Sequence, residues 1–347
     1  MREVEAVKKK TGNLLFLAAV FLLTLWSVFH GQNLREVLQD LAQADWRCVA
    51  AGVLCVVGFI LGESLVIGYL LRQLGVAVKP SHCCLYSFIG FFYSCITPSA
   101  SGGQPMQIVA MRKDRIPVAV SAVVLAIVTI TYKLVLVILG GAVLLLRPAH
   151  LMAFLEPAEP IIYLGMVLNV VCITVLLLLV FHPTAAERLA RRALNLAHRI
   201  RPFRSLEQRQ EQLHQMVEQY RGAASFYRTH RGVIVRVFAI TFVQRCLLFL
   251  VTWFTYRAFA LSQQPLSVVT TLQAMISVAA DMLPLPGGMG VSENLFLTLF
   301  EPVFGPDLVL PAMVISRGIS YYTQLLLSAV MTLAASFLLR EPQEKGT

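Results

Sequence analysis

Long apolar runs alternate with short polar or basic stretches along this chain, and two of the apolar regions are interrupted halfway. Crossing a bilayer takes roughly 20 apolar residues as a helix, and runs near or above that length occur at about 14–29, 46–71, 118–146, 160–181, 232–260 and 310–338. Two further regions, 84–110 and 268–300, are apolar at their flanks but contain helix-breaking stretches. The first stretch is Thr97-Pro98-Ser99-Ala100-Ser101-Gly102-Gly103-Gln104-Pro105, and the second is Pro284-Leu285-Pro286-Gly287-Gly288-Met289-Gly290. Proline lacks the N–H and clashes with the preceding turn, and glycine has the most backbone entropy to lose, so neither stretch continues a helix. Lipid offers the freed backbone groups no partners, so each break is expected to be buried in protein or to line a wet cavity. The pattern predicts an all-α polytopic membrane protein with about six full spans and two broken or re-entrant helical hairpins.

Charge orients this plan. If each hairpin leaves on the side from which it came, one face carries segments 1–12, 72–83, 111–117, 184–231 and 339–347, with twenty-one Lys and Arg, and the other carries Arg35 and Arg147. The positive-inside rule then places both termini in the cytoplasm and residues 31–45 outside. A topology in which each broken region holds one full and one half span stays open. The first run follows Arg2 and Lys8 to Lys10 with no small-residue cleavage site, so it reads as an uncleaved first helix rather than a signal peptide.

The order of elements repeats with its direction reversed. Span 46 and residue 98 in the first half correspond to span 232 and residue 284 in the second, an offset of 186 both times. The whole of 1–347 reads as a single integral membrane domain, with repeat 1 at about 13–147 and repeat 2 at about 160–338. Inverted repeats with paired broken helices are the architecture of secondary transporters, which hold substrate near the midplane between the breaks. Simple kinking of two packed helices is the alternative reading.

Composition narrows the function classes. At 57% hydrophobic residues, 14% charged and a mean hydropathy of +0.71, the chain is too apolar for a soluble enzyme. The net charge of +10 lies between spans, where an anionic inner leaflet accounts for it, and no nucleic-acid partner is expected. Segment 184–231 holds ten Arg among Leu189, Leu194, Leu196 and Ile200, a basic amphipathic surface helix with room for a second helix over 206–226. Seven cysteines and seven histidines show no ligand spacing, so no metal, cofactor or disulfide framework is expected. Catalytic signatures are also missing from the sequence, and a homo-oligomer is left open.

The breaks carry the candidate binding residues: Pro98, Ser99, Ser101, Gly102, Gly103 and Gln104 in the first, Asp281, Pro286, Gly287, Gly288, Gly290 and Glu293 around the second. Gln104 is expected to cap a half-helix whose first residue is Pro105, leaving N–H groups that favour an anion such as a lipid phosphate. The second half-helix is expected to start at Ser292, with Glu293 in its first turn. Asp281 and Glu293 would suit the amine of a head group, or Glu293 merely stabilises its own helix end. Glu63, Lys133, Arg245 and Arg317 fall inside spans, where an unpaired charge costs at least ~2.5 kcal/mol. Glu63 with Arg245 and Glu293 with Arg317 are the expected pairs.

The stretch TPSASGGQPMQ at 97–107, the basic run Met111-Arg112-Lys113-Asp114-Arg115 and PLPGGMGVSEN at 284–294 together resemble the transmembrane region of the lysylphosphatidylglycerol synthase/flippase family, which includes the multiple peptide resistance factor. The resemblance implies a cell-membrane protein that moves a phospholipid, such as aminoacyl-phosphatidylglycerol, between leaflets. Long members of that family join such a region to a cytosolic domain that transfers an aminoacyl group from tRNA to phosphatidylglycerol. This sequence ends at Thr347, so lysyltransferase activity is not expected, while a small-solute carrier remains the other alternative.

Overall fold

The computed structural model describes residues 42–97, 100–181, 206–283, 285, 288 and 290–338. The first apolar run, the basic stretch 182–205, and Pro98, Ser99, Pro286 and Gly287 lie outside the described residues. Within them every regular element is helical: α1 (Trp46–Gln73), α2 (Pro80–Cys95), α3 (Gly103–Lys113), α4 (Val118–Leu146), α5 (Ala149–Leu155), α6 (Glu159–Phe181), α7 (Leu206–Thr229), α8 (Arg231–Ala258), α9 (Leu266–Ala280), α10 (Val291–Phe304), α11 (Val309–Arg317) and α12 (Gln324–Leu338). A π-helical segment, Gly318–Thr323, joins α11 to α12. Five stretches are long and apolar enough to cross a membrane: Trp46–Gln73, Val118–Leu146, Ala149–Val180, Arg231–Ala258 and Val309–Ala335. The chain is an all-α polytopic membrane protein.

Helix ends follow local chemistry. Asp45 caps α1 by accepting from the Arg47 N–H at 2.8 Å. Gly75, at φ +75°, ends it with a turn that few other residues tolerate. Pro80 begins α2, and Pro117 and Pro265 immediately precede α4 and α9, positions where a missing N–H does no harm.

The frame is the pair α1 and α8, packed along their length. They run antiparallel: Asp45 N–H donates to the Ala258 carbonyl at 2.9 Å at one end, Gln244 Nε2 to the Phe59 carbonyl at 2.9 Å in the middle, and Arg236 to the Tyr69 hydroxyl at 3.4 Å at the other end. Gly58 and Gly62 let the backbones approach, since a Cβ there would press on Leu247 and Gln244. The flanking helices also pack across the two stretches expected as repeats. The α4 helix of the first half packs on α9 of the second, and α12 of the second half packs on α2 of the first.

The surface stretch around Leu189 to Ile200 lies outside the described residues, and the second helix expected over 206–226 forms as α7. Its second half buries Val217, Ala223, Ala224 and Tyr227 against the bundle, and the Tyr227 hydroxyl donates to the Leu70 carbonyl at 2.7 Å. Burial pushes the Tyr227 phenol up from its ordinary pKa. The apolar side chains left outside, such as Leu164, Val167, Val171 and Val175 on α6, form the face that lipid would cover.

Candidate functional site

The first hairpin is α2, a tip over 96–102, and α3. Its arms lie closer than ordinary side chains allow. A Cβ on Gly103 would stand 2.7 Å from the Gly90 carbonyl oxygen and 2.1 Å from Ser94 Oγ, and one on Gly90 would meet the Gln107 amide at 2.3 Å. Thr97 closes the tip by accepting the Gly102 N–H at 2.9 Å while its hydroxyl donates to the Tyr93 carbonyl at 2.6 Å. Ala100 takes a left-handed conformation at φ +53°. The helix begins at Gly103 with Gly102 as its cap, which corrects the expected start: Gln104 is not the cap, and Pro105 is the third helical residue rather than the first. Two N–H groups, of Gly103 and Gln104, therefore precede the proline. The Gln104 side chain donates to the Thr129 hydroxyl on α4. At the opposite end of the hairpin, Asp114 accepts from the Tyr86 hydroxyl and sits 2.8 Å from His82 Nδ1, tying α3 to α2.

The second hairpin is α9, a tip over 281–290, and α10. Its helix starts at Val291, one residue before the expected Ser292, because Gly290 is the cap. Glu293 Oε2 accepts the Gly290 N–H at 2.6 Å and the Ser292 hydroxyl at 3.1 Å, while Oε1 accepts from Arg317 Nε at 2.7 Å. Gly288 and Gly290 hold φ +68° and +84°, which explains glycine at both. Asp281 ends α9, where its Oδ2 accepts from Lys133 Nζ at 2.5 Å. Lys133 also reaches Asn169 Oδ1 at 3.3 Å, and the Asn169 amide donates to the Gly165 and Val278 carbonyls.

These contacts converge. One turn of α4 carries Thr129, which meets Gln104 of the first hairpin, Lys133, which meets Asp281 of the second, and Tyr132, whose ring lies 3.5 Å from the guanidinium carbon of Arg245 on α8. Phe59 of α1 stands 5.0 Å from the same guanidinium. Glu63 accepts from Gln107 Nε2 of α3 at 2.7 Å. The expected pair Glu293–Arg317 forms, whereas Glu63 and Arg245 make no ion pair among the described residues and only feel each other's charge. The Arg317 guanidinium carbon stands 5.0 Å from the ring of Tyr321, whose hydroxyl donates to the Cys95 carbonyl at the end of α2, so the second hairpin's ion pair borders the first hairpin's tip.

Sequence reading did not find Lys133 bound to Asp281, Gln107 bound to Glu63, or Tyr132. One signal was available for the first: Asn169 is a lone amide in an otherwise apolar helix and is wholly buried. A depression of about 480 Å³ lined by Gly68, Arg72, Val76 and Lys79 lies at the end of α1, away from these contacts. Among the described residues no group of His, Cys, Asp and Glu is placed to hold a metal ion.

Residues 13–328 match the family model described as the lysylphosphatidylglycerol synthase TM region. No curated protein matches the chain.

Proposed function

Because the chain belongs to the lysylphosphatidylglycerol synthase transmembrane-region family, we propose that it moves a phospholipid head group between the leaflets of the cell membrane, with its termini in the cytoplasm. The observation that supports this reading is that both broken hairpins bind one turn of α4, Gln104 to Thr129 and Asp281 to Lys133, whose Tyr132 packs on Arg245 beside Phe59 where α1 and α8 cross. Charges held at that depth are expensive for a protein that only needs to span, and broken backbone at membrane depth is tolerated where it lines a path.

In this reading the lipid tails stay in the bilayer and the head group passes along the hairpin tips. Asp281 and Glu293 are already committed to Lys133 and Arg317. An amine on the head group therefore competes with Lys133 for Asp281 instead of meeting a free carboxylate. That exchange offers a way to couple arrival of the head group to release of the second hairpin from α4. Aminoacyl-phosphatidylglycerol is one member of the substrate class that carries such an amine.

The test is leaflet exchange of head-group-labelled phospholipids in liposomes containing the purified protein. Exchange well above protein-free liposomes is expected, fastest for amine-bearing head groups. Exchange equal to the protein-free rate for every lipid would overturn the proposal.

A further inference from the structure

Among the described residues, Lys133, Arg245 and Arg317 lie inside spans away from the span ends, and they are not used alike. Lys133 is bound by Asp281 and Asn169, and Arg317 is bound by Glu293. Arg245 makes no hydrogen bond among the described residues, and its Nε is buried without a partner. Glu63, four residues from Phe59 on α1, accepts the Gln107 amide on Oε1 at 2.7 Å and makes no ion pair with Arg245. The residue is only partly buried, so its terminal nitrogens can meet an acceptor, while a buried donor left without one is costly and arginine cannot lose its proton to relieve it.

The surroundings of Arg245 are built to aim it. Its guanidinium carbon is 3.5 Å from the Tyr132 ring centre and 5.0 Å from that of Phe59, so aromatic rings hold the planar group while contributing no acceptor for its N–H edge. A guanidinium presents paired donors that match two oxygens of one phosphate, which an ammonium does not. Its place is also particular. Arg245 and Phe59 are 186 apart, the offset relating the two halves, and they face each other where α1 and α8 cross. Tyr132 lies in the same turn of α4 as Thr129 and Lys133, which touch the first and second hairpins.

We propose that Arg245 is a phosphate-binding residue, seated on Tyr132 and Phe59 where the two halves meet, that holds the phosphodiester of the phospholipid as it passes between the hairpins. The anion site follows from the arginine's environment alone, whereas lipid as its source rests on the transport reading above. Its position at the crossing of the two halves lets one residue serve a head group arriving from either leaflet.

The experiment is thermal melting of the purified protein in detergent, titrated with dioctanoyl-phosphatidylglycerol, with dioctanoylglycerol, which lacks phosphate, and with inorganic phosphate. The phospholipid is expected to raise the melting temperature saturably and dioctanoylglycerol to leave it unchanged. Arg245→Gln is expected to fold, since it removes an unpaired charge, and to weaken the midpoint by roughly 10-fold or more. Arg245→Lys, which keeps the charge but loses the fork, should fall between. An unchanged midpoint in Arg245→Gln, or in Arg245→Lys if the glutamine variant does not fold, overturns the assignment, as does a parent protein that no phosphate compound shifts. If inorganic phosphate shifts the parent as strongly as the phospholipid and Arg245→Gln abolishes both shifts, the anion site stands and the lipid source is wrong. A parent that binds the phospholipid but exchanges none in liposomes refutes transport and leaves the site.

Discussion

Breaking the Lys133–Asp281 pair from one side should be far worse than removing it whole. The two groups meet at 2.5 Å with side-chain exposures of 7% and 17%, so neither can turn to bulk water when its partner is lost. Lys133→Met would leave the Asp281 carboxylate buried and would also strip Asn169 Oδ1 of its donor. Asp281→Leu would strand an ammonium left with Asn169, the Met282 sulfur and the Tyr132 ring beside it and no opposite charge among these. Losing one partner of a buried pair costs about 3–5 kcal/mol, while replacing both by apolar groups of similar volume is often neutral or stabilising. The single variants are therefore expected to lose about 3–5 kcal/mol each and the double variant little, a coupling of several kcal/mol. Reversible unfolding in mixed detergent, followed by circular dichroism, would give the four free energies of the cycle. A double variant destabilised by the sum of the two singles would show that the groups do not depend on each other, and the contact that pins the second hairpin to α4 would have to be abandoned.

The first hairpin makes a packing prediction: Gly103→Ala should cost about 1–3 kcal/mol, because the new methyl would meet the Gly90 carbonyl, which cannot swing aside. Gly141→Ala, also in a helix but with nothing within 4 Å of its Cβ, should be neutral or up to ~1 kcal/mol stabilising, and a melt showing equal losses for both would refute the close approach. For topology, a cysteine at position 200 on a cysteine-free background should react with a membrane-impermeant reagent only after the cells are opened. Reaction in intact cells would invert the proposed orientation.

The frame was legible from hydropathy because each span writes its own signal: Val118–Leu146 coincides with the apolar run read from the sequence, and α1 and α8 begin within a residue of theirs. The breaks were equally plain, since proline and glycine act locally. What proved illegible is whatever depends on a partner far along the chain. Gly103 looked like a residue that lets backbone approach a ligand, and its neighbours turn out to be Gly90 and Ser94 of the facing arm. Similarly, Asp281 looked free because its partner lies 148 residues away on α4. Of the two pairs expected, the one that forms joins residues 24 apart within a single half, and the one that fails was intercepted by Gln107, a neutral side chain that no charge count would bring forward.

The two halves share positions more than they share chemistry. Cys95 and Asp281, separated by the same offset of 186, both end the first arm of their hairpin, and each is held by the long terminal span of the other half. On the first hairpin the tie is neutral: the Tyr321 hydroxyl donates to the Cys95 carbonyl at 3.0 Å. On the second it is the ion pair to Lys133, and Glu293 adds another ion pair on the far side of the same tip. A neutral bond to a carbonyl contributes about 1 kcal/mol, and losing it strands no charge. Opening a buried ion pair without a replacement charge costs about 3–5 kcal/mol. In the proposed transport, the second hairpin is thus the one whose release would call for a charged visitor. Tyr321 also lies within the π-helical segment, a geometry with i→i+5 bonds that is rare and frequently found at functional sites.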